Sequence, residues 1–526
     1  MEDIIIGSGP AGVSAAWALI KQGRKVTMLD VGETLEVERH ELRSKLAAVG
    51  PKQWQPEDLD AYTGIAHAGD VAGPQPFGSN FLFRDTVGFS DGVQITGPFG
   101  LRPSFAKGGL SNGWGSSILP YRQQDMMDWP ARARDLSSHY EALRQFMPMA
   151  GKADDLENLF PMLGMPQDTS LPLSSQAGKL LSRLEKNKNR LNRAGIYFGQ
   201  ARQAVASREC QHCGLCLYGC PYGVVYNAAQ TIDRLLESTA FSYRKGCYVT
   251  RFEENDSGVQ LWATDISSKQ SAHFSANRLF VACGVLPTAR LVMNSLEYFD
   301  RPIHIKDSLH FFLPLLHSWR PQVNLSQEET NRLVQLFIEI ISENPAEKTA
   351  HAQLYTFNHF YAPDMRKRFG RFATILSPLI NKLSQRLIVA QVFLHSDYSS
   401  KIEVRLLKKN SDNILQMKEI PNTATQHSIA RIIKKLSKMA LTAGLIPLTP
   451  LSRQEAAGSS FHCGSTFPMQ ESPVGIESDT LGRPAGLQRV FVVDASVLPS
   501  VPATTITLSV MANAHRIATE SANIPN

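Results

Sequence analysis

The stretch Asp3-Ile4-Ile5-Ile6-Gly7-Ser8-Gly9-Pro10-Ala11-Gly12 decides the fold of the first part of the chain. An apolar run of strand type enters a turn with three glycines at the spacing G-x-G-x-x-G. The residues that follow, Val13 to Lys21, have helical character, and a second apolar strand, Lys25–Leu29, ends on Asp30. Each part has a physical reason. Gly7 permits the tight turn, Gly9 lets a pyrophosphate reach the backbone, and Gly12 lets helix and strand pack closely. The helix N-terminus offers phosphates free N–H groups and a positive dipole end. Asp30 is placed to accept hydrogen bonds from the adenosine ribose hydroxyls, and its charge would repel a 2′-phosphate. The order strand, glycines, helix, strand, acid predicts a Rossmann-type site for an unphosphorylated dinucleotide. On these residues alone FAD and NAD both remain open.

Around this unit the chain extends to 526 residues, too long for one ordinary domain. With 43% hydrophobic and 19% charged residues it reads as globular and soluble. The net charge of +6 comes from scattered basic residues, with no Lys/Arg cluster interleaved with aromatics, so a nucleic-acid partner is not expected. Ile4–Ile6 reads as a strand and not as the apolar core of a secretory leader. No run approaches the ~18 apolar residues of a membrane span. The expectation is a cytoplasmic protein, with export on a partner subunit as the alternative.

Asp135 to about Phe146 reads as a helix, 177–195 as a basic amphipathic helix, and 247–283 as three or four strands, among them Gly258–Ala263 and Arg278–Ala282. From about 300 to 450 the character changes. Ser326 and Glu329 form a capping box ahead of Leu333, Leu336, Phe337, Ile340 and Ile341, whose spacing predicts a helix. Gln391–Leu394 and the alternating Lys401–Leu407 read as strands, and Ser428–Thr442 as a helix stopped by Gly444. Arg366–Leu387 is basic and amphipathic but interrupted by Pro378. It reads as a surface helix pair, with a peripheral membrane contact as the minority reading.

Four segments carry a resemblance. The first is the fingerprint above. The second is Gly108-Gly109-Leu110-Ser111-Asn112-Gly113-Trp114, followed by Asp128-Trp129-Pro130. The third is Ala282-Cys283-Gly284-Val285-Leu286-Pro287. The fourth pairs Phe461-His462-Cys463-Gly464-Ser465-Thr466 with Val492-Val493-Asp494-Ala495-Ser496. In this order they resemble the glucose–methanol–choline (GMC) oxidoreductases, closest in pattern to the sugar-oxidising branch. The resemblance covers both ends of the chain and is weak over 300–450, where that family places its variable substrate domain. It decides for FAD over NAD. It implies an α/β fold: a Rossmann-type FAD-binding domain on a parallel sheet (1–300 and 451–526, with the Cys-rich segment 208–223) and a second, α+β substrate domain (301–450).

The resemblance also implies roles. Gly108, Gly109, Ser111, Asn112 and Trp114 stand in a flavin-covering loop. Ala282 and Gly284 close over the adenosine. Asp494 bonds the ribityl chain, and Ala495 lies beside it. Some members link flavin covalently through a histidine that here is Gly113, so the FAD is expected to be non-covalent. His462 occupies the position of the base that takes the hydroxyl proton, a task suited to imidazole. The family's second polar residue, Asn or His, falls on Val501. Ser500, Thr504 and Thr505 are placed to orient a substrate hydroxyl, but none is a base near neutral pH. His515, further along the last helix, reads as a surface residue.

Cys210, Cys213, Cys216 and Cys220, followed by Pro221, have the spacing of bacterial ferredoxins. A 3Fe-4S or 4Fe-4S cluster is the leading reading, against unligated thiols and structural zinc. With a cluster, electrons would leave for an acceptor protein. The function expected is oxidation of a CH–OH group of a sugar or other alcohol by hydride transfer to flavin. The alternatives are an oxygen-using flavin alcohol oxidase without a cluster and a catalytically degenerate flavin-binding or assembly protein.

Overall fold

Runs of buried aliphatic residues close to the fingerprint pair into a parallel sheet. The computed structural model describes residues 2–64, 75–165, 168–318, 328–342, 347–356, 383–409 and 413–524. Asp3–Ile6 lies between Val26–Leu29 and Leu279–Val281, with Ile4 opposite both Thr27 and Leu279. Phe241–Arg244 and Val490–Val492 complete the five strands at the two edges. Every residue of the first two strands is buried, as expected for parallel strands covered on both faces. Helix Pro10–Lys21 packs on this sheet beside the C-terminal helix Thr507–Ser521, and Ser14 Oγ donates to the Met511 carbonyl at 2.7 Å. The two ends of the chain are thereby joined, with Asp3 and Arg278 forming a buried ion pair at 2.7 Å beneath them.

A larger antiparallel sheet forms a second layer. Its order is Leu445–Pro447, His310–His317, Leu387–Leu394, Ala350–Tyr355, Leu336–Ile340, Ile196–Gln200. Alternation sends Phe311, Leu313, Ala352, Ile338, Val392 and Phe198 to one face, where helices Ser175–Lys186 and Thr425–Thr442 cover them. The opposite face carries polar residues and turns toward the turn that bears His462. A third sheet, with Cys463–Gly464, Pro302–Asp307, Lys401–Leu407, Ile414–Ile420 and Val93–Thr96 in order, ties the two layers together.

The structure corrects the sequence reading in several places. Leu333–Ile341 is not a helix: Leu336–Ile340 is a strand whose five residues are all buried. Burial on both faces removes the alternation that marks a half-exposed strand, and the apolar run then mimics helical spacing. Ser326 of the expected capping box lies outside the described residues, as does most of the basic segment Arg366–Leu387; its last residues start the strand Leu387–Leu394. The helix expected over 177–195 is two, Ser175–Lys186 and Lys188–Arg193, separated at Asn187. The helix from Asp135 is shorter than expected, Ser137–Leu143. Lys401–Leu407 stands as expected, and the helix expected over Ser428–Thr442 begins a turn earlier, at Thr425, and is followed by Gly444 in the left-handed region at φ 75°. Among the described residues no helix is long and apolar enough to cross a membrane.

Candidate active site

A cavity of about 840 Å³ opens at the C-terminal ends of the parallel strands, lined by Gly7, Gly9, Asp30, Ala282, Gly284 and Gly109 among others. This is where a doubly wound sheet binds its ligand. Gly7 has φ 97°, and a Cβ there would stand 2.4 Å from the Ala282 carbonyl oxygen. A Cβ on Gly12 would stand 2.0 Å from the Gly7 carbonyl oxygen, so helix and strand close only on glycine. At Gly9 a Cβ would meet nothing within 4 Å. That open space against a cavity-lining backbone is what a pyrophosphate needs, and the residues present fit FAD.

Asp30 lines the cavity just after the second strand, buried, and burial raises its carboxyl to about 6 although hydrogen bonds from Ser8 and Tyr243 oppose the shift. Tyr243 OH donates to Asp30 Oδ2 at 2.9 Å. Ser8 Oγ donates to the same oxygen and accepts the Gly108 N–H at 2.9 Å, which ties the fingerprint to the glycine loop. Ser8 and Tyr243 went unnoticed in the sequence. Ser8 is an x position of the motif, and Tyr243 reaches Asp30 only through sheet pairing.

The glycine loop approaches the fingerprint closely: a Cβ on Gly109 would lie 3.3 Å from the Gly9 Cα. Its polar residues hold the loop itself. Ser111 Oγ donates to the Gly108 carbonyl at 2.6 Å and accepts from Ala228 N at 2.9 Å; Asn112 Nδ2 donates to the Lys107 and Gly109 carbonyls; Trp114 Nε1 donates to the Tyr226 carbonyl at 2.7 Å. At the other wall Asp494 and Ala495 line the cavity. The Asp494 carboxylate accepts from Gly284 N at 2.8 Å and Thr288 Oγ1 at 2.6 Å, and so also fixes the start of the helix Val285–Ser295. Ile506, Thr507 and Val510 bring the N-terminus of the last helix to the same space.

His462 projects from a turn between Phe461 and Cys463, both of which line the cavity. The turn is constrained: Phe461 and Ser465 adopt left-handed φ of 57° and 69°. Asp307, fully buried, accepts from Gly458 N and Ser460 Oγ at 2.8 Å each and from Cys463 Sγ at 3.4 Å. Ser460 Oγ in turn accepts the His462 N–H at 3.0 Å, and Ser308 N donates to the His462 carbonyl at 2.9 Å. The ring stacks on Phe393 with centroids 4.8 Å apart, and its Nδ1 is enclosed without a protein partner. Burial, reinforced by His310 and His351, pushes this imidazole down to about 3, so it is neutral at physiological pH.

The hydroxyls proposed to orient substrate are differently placed. Thr505 Oγ1 accepts the Leu119 N–H at 2.8 Å. Ser500 Oγ accepts from Trp129 Nε1 at 2.9 Å and lies 3.1 Å from Asp128 Oδ1. Thr504 Oγ1 is buried with no partner. Val501 is fully buried, and its backbone N–H and carbonyl pair with Ser396. His515 is partly buried and not a free surface residue: its Nδ1 lies 2.9 Å from that of His139.

The cysteine segment abuts the glycine loop. Cys216 and Cys220 share a cavity of about 20 Å³ with Ser111, Asn112, Gly113 and Trp114. Backbone N–H groups of His212, Leu215 and Arg332 bond Cys210, Cys213 and Cys216. Burial pushes the Cys213 thiol up to about 12 and the Cys216 thiol higher still, which favours the protonated form. Among the described residues no group of three or more His, Cys, Asp or Glu side chains is arranged to hold a metal ion, these four cysteines included. The expected cluster geometry is therefore not formed in this arrangement.

The structure thus combines a Rossmann-type dinucleotide cavity with a neutral histidine on a turn whose neighbours line it. Residues 404–514 match the family model described as GMC oxidoreductase, and residues 5–40 one described as NAD(P)-binding Rossmann-like domain. Among solved structures, pyridoxine 4-oxidase from Mesorbium loti superposes with a TM-score of 0.61 over 99% of this chain and 98% of its own. At 13% identity, that likeness shows a shared fold. No curated protein matches the chain in sequence. The chain is thus similar to GMC oxidoreductases in its C-terminal part and to Rossmann-like dinucleotide-binding domains at its N-terminus.

Proposed function

We propose that the chain is a non-covalent FAD enzyme that oxidises a CH–OH group of a small alcohol or sugar and passes the electrons to oxygen. The observation that carries the reading is His462: a neutral imidazole with an unpaired Nδ1, on a constrained turn whose neighbours line the dinucleotide cavity. FAD, when bound, supplies the hydride acceptor. The chain's own residues do the rest. Gly7, Gly9, Gly12 and Asp30 seat the nucleotide, the loop Gly108–Trp114 covers the flavin, and His462 takes the hydroxyl proton. Asp307 holds the turn that aims His462. The loop Gly108–Trp114 resembles the sugar-oxidising branch and supports a hydroxyl-rich substrate. Pyridoxine 4-oxidase, the solved structure of like fold, is itself named as an oxidase, which supports oxygen as acceptor.

A second reading, an iron–sulfur relay through Cys210, Cys213, Cys216 and Cys220 to an acceptor protein, is favoured by the backbone N–H groups directed at three of the thiols and by the contact with the glycine loop. Anaerobic addition of glucose, pyridoxine or benzyl alcohol should bleach the 450 nm flavin band, on the order of one flavin reduced per turnover. Air should restore the band with hydrogen peroxide released. Bleaching without peroxide, together with iron in anaerobically prepared protein, would move the assignment to the relay. A flavin that no alcohol bleaches would leave a flavin-binding protein.

A further inference from the structure

We propose that the outer, helix-covered face of the antiparallel sheet is a docking surface for an anionic membrane, on which the chain sits peripherally. The sequence concentrates its charge there. Helices Ser175–Lys186, Lys188–Arg193 and Thr425–Thr442 together carry ten Lys and Arg residues and one acid, Glu185. Their net charge of +9 exceeds the +6 of the whole chain, so the remaining residues sum to a negative charge. Thr425–Thr442, the longest of the three, contains no acid at all.

The fold gathers the three helices onto one surface. Leu180, Leu184 and Leu191 share a buried cluster with Ile432, Leu436 and Met439 against the sheet, so the apolar stripes face inward and the basic stripes outward. Two links set the helices side by side. Arg183 Nη1 donates to the Ala443 carbonyl at 3.3 Å. Lys435 Nζ donates to the Ile341 carbonyl at 3.0 Å, and the Ile341 N–H donates to Gly195, just past Arg193. His462 stacks on Phe393, whose neighbours Val392 and Leu394 belong to the helix-covered cluster. Alternation along the strand therefore puts His462 on the opposite face, which docking through the helices leaves free.

Lys186, Arg190, Arg193, Lys434 and Lys438 are exposed, and none is in an ion pair among the described residues. Like charges gathered without counter-ions repel one another, a cost that an anionic surface removes. On Thr425–Thr442 the exposed row runs from Lys434 and Lys438 to Leu441 at helical spacing, and Leu441 is 63% exposed. Ile446 and Leu451 follow at 44% and 46%, so three of the nine large apolar side chains exposed among the described residues stand between 441 and 451. Lysine heads at the level of lipid headgroups, with leucine reaching below them, are what an interfacial helix uses. None of the three helices bears Phe, Tyr or Trp, so the surface lacks the stacking groups of a single-strand nucleic-acid site.

The test is sedimentation of the whole FAD-loaded chain with phosphatidylcholine vesicles, with and without about 30% phosphatidylglycerol, at low and high salt. Wild type should bind the anionic vesicles at low salt, leave them at high salt and ignore the neutral ones. Each basic residue near such a surface is worth about fivefold in partitioning. The triple variant Lys186→Ala, Lys434→Ala, Lys438→Ala should therefore bind about 10²-fold more weakly. Leu441→Ser, with charge unchanged, should bind about tenfold more weakly. A control triple, Lys25→Ala, Lys269→Ala, Lys418→Ala, makes the same charge change at other exposed positions and should bind within about threefold of wild type. Flavin spectrum and thermal stability should match wild type in all three. Wild type that ignores anionic vesicles, a control that loses binding equally, or Leu441→Ser that binds like wild type would overturn the proposal. Tighter binding to duplex DNA or polyglutamate than to the vesicles would also overturn it, and would assign the basic face to that polyanion. None of these outcomes depends on the alcohol-oxidising reading.

Discussion

Asp307→Asn separates stability from activity in a pH-dependent way. Asp307 is fully buried, and burial raises its carboxyl from 3.8 to about 6, against the pull of bonds from Gly458 N, Ser460 Oγ and Cys463 Sγ. A folded pKa above the unfolded one means that the folded state binds the proton more tightly. The contribution to stability is then complete below about pH 4 and lost as pH rises through about 6. At neutral pH the ionised carboxylate costs the fold about 3 kcal/mol relative to an unshifted group. Asparagine carries no such charge. It keeps an acceptor for Gly458 N–H but turns an NH₂ toward Ser460 and Cys463, a loss of about 1–3 kcal/mol. The variant should be less stable than the parent near about pH 5, and equal or up to about 2 kcal/mol more stable near about pH 7.5. Urea unfolding of the FAD-bound proteins, followed by tryptophan fluorescence across that range, reads the difference directly. A gap that stays constant from about pH 4.5 to 7.5 would refute the reasoning, because Asp307 would then not titrate in the fold. In the same variant, flavin reduction should slow at every pH, since Ser460 no longer anchors the His462 N–H as firmly.

Three further outcomes follow from the same geometry. Gly9→Val should fold with near-parent thermal stability yet be isolated without flavin, because a Cβ there meets no protein atom within 4 Å and the side chain enters the cavity; normal FAD content would contradict the phosphate path. His462→Ala should keep FAD and reduce it about 10²–10⁴-fold more slowly; near-parent kinetics would remove His462 from the chemistry, and loss of FAD would make it structural. Acid precipitation should leave the yellow colour in the supernatant, since Gly113 stands where a linking histidine would; colour retained in the pellet would show a covalent bond.

The nucleotide half of the molecule was legible because its information is local. Gly7, Gly12 and Gly108 are needed for backbone reasons that act within a few residues or at one close contact, and such requirements leave a pattern in the chain. Asp30, Asp494 and His462 were found because they sit beside such patterns. The antiparallel sheet was not legible. His310, His351 and Glu339 are 41 and 12 residues apart in sequence, and only strand register sets them in one row. The strand Leu336–Ile340, buried on both faces, carries no alternation to betray which side Glu339 faces. Ser8, Tyr243 and Asp307 are likewise ordinary residues until folding brings acceptors to them. The cysteine segment shows the converse. Its spacing is a strong local pattern, yet where four thiols point is a tertiary matter, and among the described residues they do not converge on a metal site. Sequence alone determined that this chain builds a dinucleotide cradle; the row of buried polar side chains on the antiparallel sheet was decided by strand pairing, because hydrogen bonds and ion pairs depend on distances that only the packed fold sets.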